Sequence, residues 1–213
     1  MNDTETKNTA VKAPALMSTR PVTAQDALDQ CEKLSPMMVH YCQTKTGLTD
    51  PANTILFYRL GDFYEMFFED ATLVSKELEL TLTGKDCGME DRAPMCGIPY
   101  HAAEGYINRL VENGHKVAIC EQMEDPKQAK GMVKREVVRV VTPGTTLIPQ
   151  GLDETKNNYI MSIVCMEGCF GISTADISTG QCFVTEMDKP RRLVDEITKF
   201  MPAEIICNQS FLL

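Results

Sequence analysis

Short apolar runs alternate with segments of helical period through the middle of this chain, and that alternation constrains its fold more than any other feature. Thr54-Ile-Leu-Phe-Tyr-Arg-Leu60 is bounded by Asp50-Pro51 and Gly61-Asp62, so it reads as a buried strand ended by a turn. Before it, Ser35-Pro36 supplies a helix N-cap and a proline at the first helical position. Met37, Met38 and Tyr41 continue at helical spacing, and this helix should stop near Gly47. After the strand, residues 61–68 hold four aromatics with no clean period. From about residue 69 the pattern turns helical, with Ala71, Val74 and Leu78 on one face, followed by a candidate strand at 80–83 and a polar loop at 84–92. A second helix at 101–113 sets Ala103, Tyr106, Leu110 and Val111 inward, with Gly114 as its stop. Strands are expected at 117–120 and 137–141, and the domain ends near Thr142-Pro-Gly-Thr-Thr146. Strands alternating with helices over this length predict an α/β fold with a mixed sheet.

The flanks divide the chain further. Residues 1–33 are polar, with few large apolar side chains, which is the composition of a disordered tail; its one helical signal is a short segment at 24–33. The first domain then covers 34–147. Residues 148–157 carry proline, glycine and charges without period and read as a linker. Beyond it, strands at 159–165, 170–176 and 181–186 are joined by turns at Glu167-Gly168 and Ser178-Thr-Gly180. A helix at 191–200 and a strand at 204–207 follow, so residues 158–213 are expected to be part of a second, interrupted domain.

Composition narrows the function classes. Twenty-one Lys and Arg stand against 30 Asp and Glu, a formal net charge of −9 over 213 residues. That excludes a wholly basic nucleic-acid coat and argues against loose attraction to polyanions, but it does not speak to a local patch. No run approaches the roughly 18 apolar residues of a membrane span, and the first residues lack the apolar core of a signal peptide. A cytoplasmic protein without membrane contact is expected. Nine cysteines without framework spacing fit a reducing compartment and free thiols.

No self-sufficient catalytic set emerges. A phosphate-binding G-x-x-x-x-G-K-[ST] loop is missing, because Asp86 follows Gly84-Lys85 and Glu79 occupies the first glycine position. His40, His101 and His115 have no acid and nucleophile at a suggestive spacing, and read as structural or surface residues. Cys165 and Cys169 flank a turn without the second pair that zinc requires. Gly97-Ile-Pro-Tyr100 with Gly105-Tyr-Ile107 echoes a GIY-YIG nuclease signature only faintly, in the wrong order and spacing. Asp176 sits at a strand end where a nuclease carboxylate could bind metal, but its partners cannot be placed, and a turn aspartate is the simpler reading. Neither catalytic residues nor metal ligands are therefore assigned.

Asp62-Phe63-Tyr64-Glu65 is different in kind. In an extended segment Phe63 and Glu65 point to the same side. A ring can stack on a base while a carboxylate accepts a hydrogen bond from it, and wedging a ring into a base step costs least where pairing is already defective. The alternative is a half-buried strand end with Phe63 in the core and Glu65 in solvent, and spacing alone favours it. Farther on, Lys127, Lys130, Lys134, Arg135 and Arg139 form a basic cluster that could meet phosphates or be a solvated face.

Four blocks, Leu56-Phe-Tyr-Arg-Leu-Gly-Asp-Phe-Tyr-Glu-Met-Phe67, Pro94-Met-Cys-Gly-Ile-Pro-Tyr-His101, Val117-Ala-Ile-Cys-Glu-Gln122 and Arg139-Val-Val-Thr-Pro-Gly-Thr145, resemble in order and spacing the N-terminal region of the MutS family of DNA mismatch-repair proteins. The resemblance implies a mixed-sheet mismatch-recognition domain followed by part of a ribonuclease-H-like α/β connector domain without nuclease activity. It implies that Phe63 stacks on a mispaired or unpaired base, that Glu65 hydrogen-bonds the same base, and that the bound DNA is kinked. Lys85 is the single cation in Thr83-Gly-Lys-Asp86, where family members often carry a basic pair or an arginine, so it is a candidate for phosphate contact. Mismatched double-stranded DNA is the implied partner, with a homodimer and a MutL-type protein as partners of the full-length protein. Family proteins are several times longer and carry an ATPase domain, so ATP and magnesium are expected only there, and no cofactor or enzyme activity is expected in this fragment. The alternatives are a structure-specific nuclease fragment using Asp176 and a protein-interaction fragment of a repair factor.

Overall fold

The computed structural model describes residues 23–29, 34–89, 91–125, 131–146 and 157–212. The first domain is a six-stranded sheet in the order β3-β4-β2-β1-β5-β6, formed by β1 (Thr54–Leu60), β2 (Phe63–Phe67), β3 (Thr83–Lys85), β4 (Ala93–Pro99), β5 (Lys116–Gln122) and β6 (Arg135–Val141). β1 and β5 run parallel and every other neighbouring pair is antiparallel, so the sheet is mixed. β1 lies near its centre, and Ile55, Leu56, Phe57 and Tyr58 are all buried, as a strand covered on both faces requires.

Alternation along the strands builds two cores. Ile55, Phe57, Tyr64 and Met66 pack with α3 (Phe68–Glu77) and α4 (Ala103–Glu112) on one face. Leu56, Tyr58, Phe67 and Phe68 pack with α1 (Ala24–Leu28) and α2 (Pro36–Thr46) on the other. A buried ion pair pins α2 to the sheet, with Lys45 Nζ 2.6 Å from Asp70 Oδ1 and 2.7 Å from the Thr54 carbonyl. The second Asp70 oxygen accepts from the Leu56 N–H at 2.8 Å. Burial pushes the Asp70 carboxyl up to about 6, against the opposing pull of Lys45 and that amide.

Several expectations are corrected. Part of the stretch read as a disordered tail is ordered: Thr23 caps α1 in a capping box, and Ala24 and Ala27 are fully buried against α2. Residues 1–22 and 30–33 lie outside the described residues, as do residues 148–156 of the expected linker. The strand expected at 80–83 is displaced to Thr83–Lys85. The chain leaves α3 through a left-handed Glu79 (φ 55°), and the Leu80 N–H returns to the Ser75 carbonyl, which places residues 80–82 in the exit rather than in a ladder. The loop expected at 84–92 is correspondingly shorter. Residues 93–99, to which no element was assigned from sequence, form β4; Pro94 faces Gly84 of the three-residue β3, and Pro99 ends the strand opposite Phe63. In α4, Ile107 is buried where Tyr106 was expected to be, and Tyr106 is only partly so.

The second domain is a four-stranded sheet in the order β10-β7-β8-β9, from β7 (Tyr159–Met166), β8 (Cys169–Asp176), β9 (Gln181–Met187) and β10 (Glu204–Cys207). α5 (Pro190–Phe200) crosses its core face and α6 (Gln209–Leu212) follows β10. The domains meet at the turn after β6. Glu204 Oε2 accepts from the Thr142 hydroxyl and from the Gly144 N–H at 3.2 Å, and Asn158 Nδ2 donates to the Pro143 carbonyl at 2.9 Å. A Cβ on Gly144 would lie 2.9 Å from Glu204 Cβ, so glycine is required for this approach.

Candidate nucleic-acid interface

β1 and β2 form a hairpin in which Leu60 faces Phe63 across the two-residue turn Gly61-Asp62. Gly61 takes φ 59°, the conformation that lets a two-residue turn match the strand twist. The turn is tied down from three sides. Arg59 Nε donates to the Gly61 carbonyl, the Arg59 guanidinium lies 3.7 Å from the centroid of the Tyr100 ring, and the Tyr100 N–H donates to the Asp62 carbonyl at 3.0 Å. Glu121 of β5 receives the Tyr64 hydroxyl and sits 3.5 Å from Arg59 Nη1. Burial, then the Glu121 hydrogen bond, pushes the Tyr64 phenol up to about 12, so it stays a neutral donor.

This frame presents Phe63. With β4 on its other side at Pro99, Phe63 is held in the sheet by its backbone while the residue remains 47% exposed. Tyr64 and Met66 turn into the core on the opposite face. The packing alternative for Phe63 is thereby set aside: the ring is at the surface, and Glu65 is on its side of the strand, as two-residue alternation requires. The hairpin continues directly into α3 through Phe68, a fully buried residue at φ 53°, a left-handed conformation held by the surrounding core.

Lys85 reaches the same face from β3. Its Nζ is 2.6 Å from Glu65 Oε2 and 5.5 Å from the centroid of the Phe67 ring. Glu65 lies opposite Gly97 of β4, where a Cβ would come 3.5 Å from Glu65 Cγ and 3.3 Å from the Tyr64 carbonyl oxygen. The three residues singled out from sequence are thus brought together on one face. Arg59, Tyr100 and Glu121 were not singled out; the available signal was an arginine inside an otherwise apolar strand, one residue from its end.

The basic cluster divides. Arg135 is buried, donates to the Arg59 and Val133 carbonyls at 2.8 and 2.9 Å and stacks over Tyr58, so it serves the fold rather than a phosphate. Lys134 pairs with Glu136 at 2.6 Å, Arg139 is exposed, and Lys127 and Lys130 lie outside the described residues. Asp176 caps its own turn: its oxygens accept from the Ser178 hydroxyl and N–H, the Thr179 N–H and the Asn158 N–H. Among the described residues no group of His, Cys, Asp and Glu is arranged to hold a metal ion.

Comparison with known proteins gives the same division of the chain. Residues 35–149 match the family profile of MutS domain I, and residues 158–212 match that of MutS domain II. The DNA mismatch repair protein MutS of Lachnoclostridium phytofermentans is 64% identical over 179 residues, covering 84% of this chain and 19% of that protein. The protein of the same name from Caldanaerobacter subterraneus subsp. tengcongensis is 52% identical over 182 residues, covering 84% of this chain and 21% of its own length. That from Acetivibrio thermocellus is 54% identical over 181 residues, with 84% and 20% covered. The chain thus spans about a fifth of the length of the curated relatives it matches. With both of its domains matched in order, the chain belongs to the MutS family.

Proposed function

We propose that this chain is a mismatch-recognition module of post-replicative DNA repair, in which Phe63 stacks on a mispaired or unpaired base and Glu65 accepts a hydrogen bond from it. One observation carries the reading: a large aromatic ring is held half-exposed at the end of a braced hairpin, with a carboxylate two residues on along the same strand face. A ring in an ordinary strand end would be expected inside. Here the backbone on both sides is paired, so the hairpin can push a ring into a base step without itself yielding. Wedge insertion unstacks that step and kinks the duplex, at a cost that is smallest where pairing is already lost. The net charge of −9 is consistent with selection by that cost rather than by general attraction to phosphate.

The wider roles belong to the same proposal. A protein of the relatives' length would act as a homodimer with a MutL-type partner, and would carry ATP and magnesium in a region beyond this one. A protein working on DNA in this way would be cytoplasmic. Separately, among the described residues no helix is long and apolar enough to cross a membrane.

The test is an NMR titration of the chain with a matched duplex and with the same duplex carrying one unpaired thymine. The unmodified chain should prefer the second. Phe63→Ala should bind both equally while its amide spectrum remains that of the folded protein, since a half-exposed side chain contributes about 1 kcal/mol or less to stability. Undiminished preference in Phe63→Ala would overturn the assignment.

A further inference from the structure

Lys85 stands out because it is not presented to solvent as a phosphate-seeking cation. Its side chain is 32% exposed and that of Glu65 18%, and the two close on each other at 2.6 Å across the intervening strand β4. Two features make the reach possible. Gly97, opposite Glu65, has no side chain to compete for the space beside the carboxylate stem, and the Lys85 ammonium comes within 5.5 Å of the Phe67 ring centroid. The ammonium binds one glutamate oxygen, Oε2. A carboxylate has about four acceptor positions, so Oε1 retains its capacity to accept.

The electrostatic consequence is specific. A lone carboxylate beside the wedge would be repelled by every duplex, paired or mispaired. With Lys85 attached, the local charge is balanced while the acceptor remains. What then decides binding is whether a base offers a hydrogen-bond donor that is not already committed to its pairing partner. We propose that Lys85 is a positioning residue for Glu65, holding the carboxylate beside Phe63 so that an unpaired or mispaired base becomes its hydrogen-bond partner. This rests on the recognition role proposed above for Phe63 and Glu65, and goes beyond it by giving Lys85 a part in selectivity rather than in general phosphate affinity.

The titration with matched and thymine-bulged duplexes tests it, using Lys85→Met, Lys85→Arg, Glu65→Ala and the Lys85→Met/Glu65→Ala double variant. Lys85→Met should cut the preference for the bulged duplex by roughly tenfold, the scale of coupling between contacting groups. Lys85→Arg, which can also pair with a carboxylate, should restore most of it. In the Glu65→Ala background, Lys85→Met should leave the remaining preference unchanged, because the residue through which it acts is gone. A Lys85→Met variant that weakens both duplexes by the same factor, with a shallower salt dependence, would make Lys85 a phosphate contact and overturn the inference alone. If the unmodified chain shows no preference, the recognition role fails and this inference falls with it.

Discussion

The two sheets of the molecule solve the same burial problem to different extents. The first has helices on both faces: α3 and α4 pack on one and α1 and α2 on the other, so β1 is buried along most of its length. Among the described residues the second has its core on one face only, where Met161, Ile163 and Ile172 meet Leu193 of α5. Its other face carries Val164, Val184 and Ile206 on three strands, Ile206 and Val184 lying in the row that runs through Ser162 and Ser173, with Val184 79% exposed. A sheet that faces water on one side normally shows polar residues there, so this open face is more apolar than its exposure warrants. The candidate recognition hairpin lies in the sheet covered on both sides. A wedge has to transmit force into its scaffold, and a strand with packed layers above and below provides the stiffer support.

The comparison predicts that the first domain is stabilised from within. Asp70→Ala should test this most severely, because it leaves the Lys45 ammonium buried with the Thr54 carbonyl as its remaining partner. Breaking a buried pair from one side costs about 3–5 kcal/mol. Urea unfolding followed by domain-resolved amide signals should show the first domain losing that amount while the second holds its midpoint. Equal shifts in both would mean that the sheets unfold as one unit and that the first is not stabilised independently of the second.

A smaller effect should appear at the junction. Gly144→Ala places a methyl group 2.9 Å from Glu204 Cβ and 3.1 Å from Ile160 Cβ, both in strands of the second sheet. Overpacking of this kind costs about 1–3 kcal/mol. The expected sign of the comparison is reversed: the second domain, with one covered face, should lose more than the first in the same urea experiment. A loss confined to the first domain would show that the Glu204 contacts do not support the second.

Much of this architecture was legible because apolar period and turn chemistry coincide. Thr54–Leu60, the helix opened by Ser35-Pro36 and the three strands from residue 159 on are all where alternation, a proline at the first helical position and glycine turns put them, although the Ser35 side chain makes no capping hydrogen bond. What escaped was non-local. β4 is hidden by Pro94 and Pro99, whose missing N–H groups matter little opposite a three-residue strand and at a strand end. α1 lies within the helical signal at 24–33, but at five residues it is too short to hold itself, and what the sequence did not show is its support: Glu69 accepts the Ala24 N–H and α2 buries its alanines. At the site, the spacing of Phe63 and Glu65 gave their common face. The pairing of Glu65 with Lys85, twenty residues away in sequence, depends on β4 lying between their strands, and no local pattern encodes that.

The mildest perturbation is acid, and it separates the domains by how each accommodates a buried aspartate. Asp70 is met by a cation, and burial still leaves its carboxyl raised to about 6. Asp176 is met by neutral donors instead: burial pushes its carboxyl up, but the Ser178 hydroxyl and the N–H groups of Ser178, Thr179 and Asn158 outweigh this and hold it below its ordinary value of 3.8. A carboxyl depressed in the folded state contributes stability that is present above the unfolded value and is lost as pH falls through the folded one. The second domain should therefore keep this contribution down to about pH 4 and lose it progressively below. Asp176→Asn preserves the shape of the turn but removes the titrating group. Its melting temperature should be lower than that of the unmodified chain at neutral pH, and the two should converge in acid. Parallel acid profiles for the two proteins would show that the turn donors around Asp176 do not distinguish its ionised form.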